Sequence, residues 1–110
     1  MKEIEALLKA LADKNRLRIL KLLQIRKMCV CELAFVIGIS QPSVSKHLKK
    51  LCCAGIIGCE QDHVWTNYYL KENKPVLKTM LKCLKKSLGG EDIIKKDARK
   101  LKKVNRACIC

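Results

Sequence analysis

The sequence predicts a mainly α fold of the α+β kind, with about five to six helices and one two-stranded β-hairpin. Three observations predict it. Leucine and isoleucine recur at helical spacing through residues 4–23 and again through 75–88. A short apolar run ending at Gly38 is followed by SQPSVSKHLKKL, which opens on serine and proline and keeps its apolar residues on one stripe. Directly after it, two strand-like runs flank a polar turn.

In the first helix Ile4, Leu7, Leu8 and Leu11 fall at i, i+3, i+4 and i+7. Asp13 is suited to cap a second helix carrying Leu17, Ile19, Leu20, Leu22 and Leu23. A third, short helix over 32–37 stops at Gly38, which tolerates positive φ. Pro42 fits only a first turn, so Ser40 or Gln41 caps a fourth helix, and Val44, Leu48 and Leu51 face inward. Its other side shows Gln41, Ser43, Ser45, Lys46, Lys49 and Lys50. A short helix, a glycine turn and a helix with a polar outer face form a helix-turn-helix pattern. Strands over 56–60 and 64–70 around Gln61-Asp62-His63 add a wing, giving a winged helix-turn-helix. Pro75 opens a further helix with Leu77, Met80, Leu81, Leu84 and Leu88 on one stripe, ended by Gly89-Gly90. The division expected is a DNA-binding and dimerisation domain over 1–88, then a basic, helix-containing tail over 89–110 that ends in Cys108-x-Cys110.

With 110 residues the chain is one domain with a small core, a size that often gains stability by dimerising. No apolar run approaches the ~20 residues of a membrane span. MKEIEALLKALADK is amphipathic and acid-containing and lacks a cleavable signal pattern, so the expected location is the cytoplasm. The balance of 24 Lys+Arg against 10 Asp+Glu gives +14, a field that attracts a polyanion, and nucleic acid is the natural one. Eight cysteines without a signal peptide point to reduced thiols, hence to soft-metal or redox chemistry.

Two of those thiols stand in KMCVCEL. On a regular helix, positions i and i+2 point about 200° apart. Cys29 and Cys31 are therefore either unrelated small core residues or lie ahead of the helix start, where they can converge. Only His47 and His63 are available as imidazoles, so a site here is sulfur-rich and selects soft ions such as zinc or cadmium. Cys108 and Cys110 are the best further donors, since a chain end can adopt the geometry an ion requires, and Lys103 and Arg106 favour their thiolates. Cys52 extends the buried stripe, Cys53 and Cys59 are either third ligands or packing residues, and Cys83 packs on the fifth helix. If an ion draws Cys29 and Cys31 together, the start of their helix must unwind or shift, and that displaces the reading helix. On that helix Gln41 suits adenine, Ser43 and Ser45 suit bases or phosphates, and Lys46, Lys49 and Lys50 suit phosphates. His47 either joins them or makes no base contact.

LLKALADKNRLRILKLL, CVCELAFVIGISQPSVSKHLKKL and LCCAGIIGCEQDHVWTNYYL together resemble the ArsR/SmtB family of winged-helix metal(loid)-sensing repressors, over about residues 4–86. The resemblance implies a homodimer paired through its first and penultimate helices that binds operator DNA when metal-free and releases it on binding an ion. It also implies arsenite or antimonite, held by three sulfurs, as effector, or a soft divalent ion such as cadmium, lead or zinc. The chain departs from the family pattern at Gln61-Asp62-His63, where the wing tip usually carries Arg and Gly, and at Ala34, where the arsenite branch has a third cysteine. Residues 74–88 hold neither Asp nor His, so the family's zinc site on the dimer helix is absent.

Three rival readings exist. A winged-helix repressor whose thiols form a redox or persulfide switch is the nearest, and a DNA-binding protein with structural zinc is another. A thiol-disulfide oxidoreductase lacks its CxxC on a βαβ frame. No serine, histidine and acid arrangement suggests a hydrolase, and the chain is not read as an enzyme.

Overall fold

The computed structural model describes residues 1–72 and 74–104. Helices α1 (Lys2–Leu11) and α2 (Lys14–Ile25) meet at Asp13, as their patterning predicts. The Asp13 carboxylate caps α2 by accepting from the backbone N–H of Asn15 at 2.9 Å and of Arg16 at 3.1 Å. The Arg16 N–H holds the Asp13 carboxyl below its ordinary range; partial burial opposes this, and the charges of Arg16 and His47 add to it. Because the folded value is depressed, the cap stabilises the fold above the unfolded value of about 3.9 and is lost as pH falls through the lower folded value. Asp13→Ala is expected to cost about 1 kcal/mol in urea unfolding at neutral pH, a difference that closes in acid.

After α2 the chain runs extended through β1 (Met28–Cys29) into α3 (Val30–Ile37). Gly38, at φ 83°, turns it left-handed out of α3. Ser40 caps α4 (Gln41–Cys53), its hydroxyl accepting from the Ser43 N–H at 3.3 Å. Val44, Leu48 and Leu51 of α4 enter a core shared with Ile19 and Leu20 of α2 and Leu33 of α3. β2 (Ile57–Asp62) and β3 (Trp65–Leu70) form the hairpin, from Ile57 opposite Leu70 to Asp62 opposite Trp65. Gln61 and Asp62, expected in the turn, belong to β2; the turn is His63-Val64, with His63 at φ 56°.

The sheet has three strands in the order β1-β3-β2, not two. Met28 pairs with Tyr68 and Cys29 with Asn67. Two residues are too few to show an alternation in sequence, which is why β1 escapes pattern reading.

α5 (Pro75–Leu88) is followed by α6 (Asp92–Leu101), which packs on α2 and α3. Ile94 and Leu101 are buried, and Asp97, 2% exposed, receives Arg18 of α2 in a two-pronged pair at 2.8 Å for each contact. Arg18 also donates to the Ile37 carbonyl at 3.1 Å, so one side chain ties α2, α3 and α6 together. Residues 92–101 of the expected tail are thus a docked helix. On the far side Ile4 and Leu8 of α1 and Val76 of α5 are exposed, and Glu3 and Lys74 join α1 to the start of α5 at 2.6 Å.

Candidate thiol site and nucleic-acid interface

Cys29 ends β1 in extended backbone, φ −91° and ψ 170°, and is the N-cap of α3, while Cys31 lies in its first turn. Their sulfurs are 3.2 Å apart. Of the two alternatives, the second holds: Cys29 lies ahead of the helix, so the opposed projection of i and i+2 does not apply, and the sulfurs meet without the unwinding or shift expected of a regular helix.

The corner is stiffened by a reciprocal cap. The Cys29 side chain receives the Glu32 backbone N–H, and the Cys29 N–H donates to Glu32 Oε1 at 3.1 Å. Arg26 Nη2 donates to Glu32 Oε2 at 3.0 Å. Burial pushes the Glu32 carboxyl up, but the Cys29 N–H and the Arg26 guanidinium outweigh it and leave the carboxyl below its usual range. Burial also pushes the Cys29 thiol up; the Glu32 N–H opposes this, and the carboxylate beside it adds to it. An ion at this corner must displace a held proton. Sequence reasoning missed Glu32 and Arg26, although Cys-x-x-Glu has capping-box spacing with cysteine in the serine position.

Two sulfurs about 2.3 Å from a common ion lie roughly 3.4 to 3.8 Å apart at ordinary bond angles, so the pair, at 3.2 Å, has to part slightly to take two positions of a soft-ion shell. Among the described residues no group of three or more His, Cys, Asp and Glu side chains comes together to hold a metal. The expected further ligands, Cys108 and Cys110, lie outside the described residues. Cys52 is half-buried against the core, and burial pushes its thiol up. Cys53 at the end of α4, Cys59 on β2 and Cys83 on α5 are exposed.

On α4, Gln41, Ser45, Lys46, Lys49 and Lys50 are exposed. Ser43 is half-buried and accepts a hydrogen bond from the Ser40 hydroxyl at 2.9 Å. His47 turns inward: its side chain is 19% exposed, with Nδ1 3.3 Å from Arg16 Nη1.

The family described as "Bacterial regulatory protein, arsR family" matches residues 13–58, which hold the α2 cap, the thiol corner and the whole of α4. The chain is similar to the arsenical resistance operon repressor of Bacillus subtilis, with 35% identity covering 84% of this chain and 90% of that one. It is 32% identical to the cadmium resistance transcriptional regulatory protein CadC of Listeria innocua, over 64% of this chain and 60% of that protein. Its fold is similar to that of the transcriptional repressor BigR of Xylella fastidiosa, with TM-score 0.71, 28% identity and coverage of 83% of this chain and 88% of that one. A helix-turn-helix built on α3 and α4, a wing hydrogen-bonded to the thiol corner and these likenesses together make the chain a member of the arsR family of winged-helix transcriptional repressors.

Proposed function

We propose that the chain holds operator DNA through α4 as a homodimer and releases it when a thiophilic metal(loid) is taken up by its thiolates. Arsenite or antimonite is the first choice of effector; cadmium, lead or zinc is the second. The observation that carries this reading is the pair of converged sulfurs at the entrance to α3, and the likeness to regulators of arsenical and cadmium resistance supports the effector class. Cys29 and Cys31 supply two ligands, and Cys108 and Cys110 supply the rest. With the sulfurs already adjacent, release comes from drawing the whole corner toward the tail thiols. α3 ends at Ile37 and α4 begins at Gln41, so a shift of α3 carries the reading helix with it.

Gln41, Ser43 and Ser45 read bases, and Lys46, Lys49 and Lys50 neutralise phosphates. His47, turned to Arg16, steadies α4 from behind. The homodimer forms through the exposed Ile4, Leu8 and Val76 of α1 and α5, with Cys83 on the same open side. Each of Lys46→Gln, Lys49→Gln and Lys50→Gln is expected to weaken DNA binding alike across sequences and to lower the salt slope by about 1.

The deciding experiment is a titration of reduced protein, bound to labelled operator duplex, with arsenite, antimonite and cadmium. Sulfur-to-ion absorbance should rise in step with loss of DNA anisotropy. Absorbance without release would overturn the coupling, and release by oxidant alone would favour the redox switch instead.

A further inference from the structure

Between α1 and α4 lies a groove of about 780 Å³, away from the Cys29–Cys31 corner, that shares Ser43, Lys46, Lys49 and Lys50 with the outer face of α4. Helical geometry accounts for it. At about 100° per residue, Ala6 and Ala10 leave α1 on the side roughly opposite Ile4 and Leu8, and their small side chains leave room against α4. Cys53 and Ala54 close the end nearest the α4 C-terminus. The volume falls within the roughly 300–1,000 Å³ of small-ligand sites.

The walls have one sign. Lys9, Arg16, Lys46, Lys49 and Lys50 line the groove with no Asp or Glu among them. The carboxylates paired with two of these cations, Glu5 with Lys9 at 2.8 Å and Asp13 with Arg16 at 4.0 Å, stand outside the lining. Arg16 is fixed in the wall at 8% exposure: Nε donates to the Ala10 carbonyl at 2.6 Å, Nη2 donates to that of Lys9 at 3.3 Å, and Nη1 meets His47 Nδ1. A guanidinium held this way keeps donors over, since it has five N–H groups, while Asp13 offsets part of its charge, so the field in the groove comes chiefly from Lys46, Lys49 and Lys50. An apolar floor under a lysine-rich rim matches a molecule with a negatively charged head and an apolar body. A duplex backbone has the charge without the body and cannot fill a concave floor.

We propose that this groove binds a small organic anion, a carboxylate or sulfonate with a compact aromatic or medium-chain apolar part. Its bound head group draws Lys46, Lys49 and Lys50 away from DNA phosphates, so it releases DNA without the thiols. The release step rests on the proposed reading of α4 as the DNA contact; the binding step does not.

The test uses 8-anilinonaphthalene-1-sulfonate as fluorescent probe and dodecanoate as competitor, on wild type, Ala6→Trp and Lys9→Glu. Ala6→Trp fills the groove from α1, away from the exposed stripe, and Lys9→Glu reverses a rim charge while leaving the floor intact. The expected result is saturation at one probe per chain, displacement by dodecanoate, and probe affinity at least tenfold weaker in Ala6→Trp and several-fold weaker in Lys9→Glu. Dodecanoate should weaken binding to a duplex selected on the wild type by at least tenfold, equally in wild type and in Cys29→Ser/Cys31→Ser. Probe binding that ignores both groove substitutions overturns the site. Probe binding that leaves DNA affinity unchanged overturns the release step alone. If Ala6→Trp weakens DNA and probe by the same factor, the groove serves the DNA backbone and the small-anion assignment fails.

Discussion

Cys29→Ser combined with Cys31→Ser is expected to bind operator DNA as the wild type does and to keep it in saturating arsenite or cadmium. The wild type should lose about 150-fold in DNA affinity under the same conditions, about 3 kcal/mol of coupling, the upper end of what two linked sites usually show. The fold is expected to survive because Cys29 occupies an N-cap with a Glu32 partner, a position where serine is among the preferred residues. Thermal unfolding without ion should leave the midpoint unchanged or raise it. Fluorescence anisotropy of labelled duplex, with and without ion, reads the result. A variant that still releases DNA on ion addition would move the sensing site away from this corner.

The second large effect is on stability. Arg18→Ala leaves the Asp97 carboxylate, 2% exposed, without the guanidinium that meets both its oxygens at 2.8 Å. Removing one partner of a buried pair costs about 3–5 kcal/mol, because the remaining charge stays out of water uncompensated. That is a large share of the roughly 5–15 kcal/mol that holds a domain together. Urea unfolding should show a midpoint shift of that size, with α6 the first element to lose amide-exchange protection. Arg18→Leu with Asp97→Leu should recover much of the loss, since two packed apolar side chains leave no bare charge. A loss under about 1 kcal/mol for Arg18→Ala would show that α6 is held by Ile94 and Leu101 alone.

Much of this architecture is legible in sequence wherever a single residue has one local job. Asp13, Gly38, Ser40 and Pro75 mark helix ends by capping or fixed φ, and the structure uses each of them so. What sequence conceals depends on partners distant along the chain. Asp97 reads as one acid in a basic tail, and only Arg18, 79 positions away, makes it an anchor. His47 reads as part of the polar face of α4 until Arg16 and Asp13 draw it inward. The thiol pair was half legible: spacing said that the sulfurs cannot meet on a helix, and the two-residue strand that takes Cys29 off the helix has too short a pattern to see.

That strand has one more consequence. Met28 and Cys29 are stitched to Tyr68 and Asn67 of the hairpin, and just before them Lys27 is ion-paired with Glu60 on β2. The sulfur corner is therefore the fulcrum of a lever with two arms, α3 on one side and the hairpin on the other. On the proposed reading, a guest that tipped the fulcrum would move both arms, and a duplex held by either arm would, by the same linkage, make the fulcrum harder to tip.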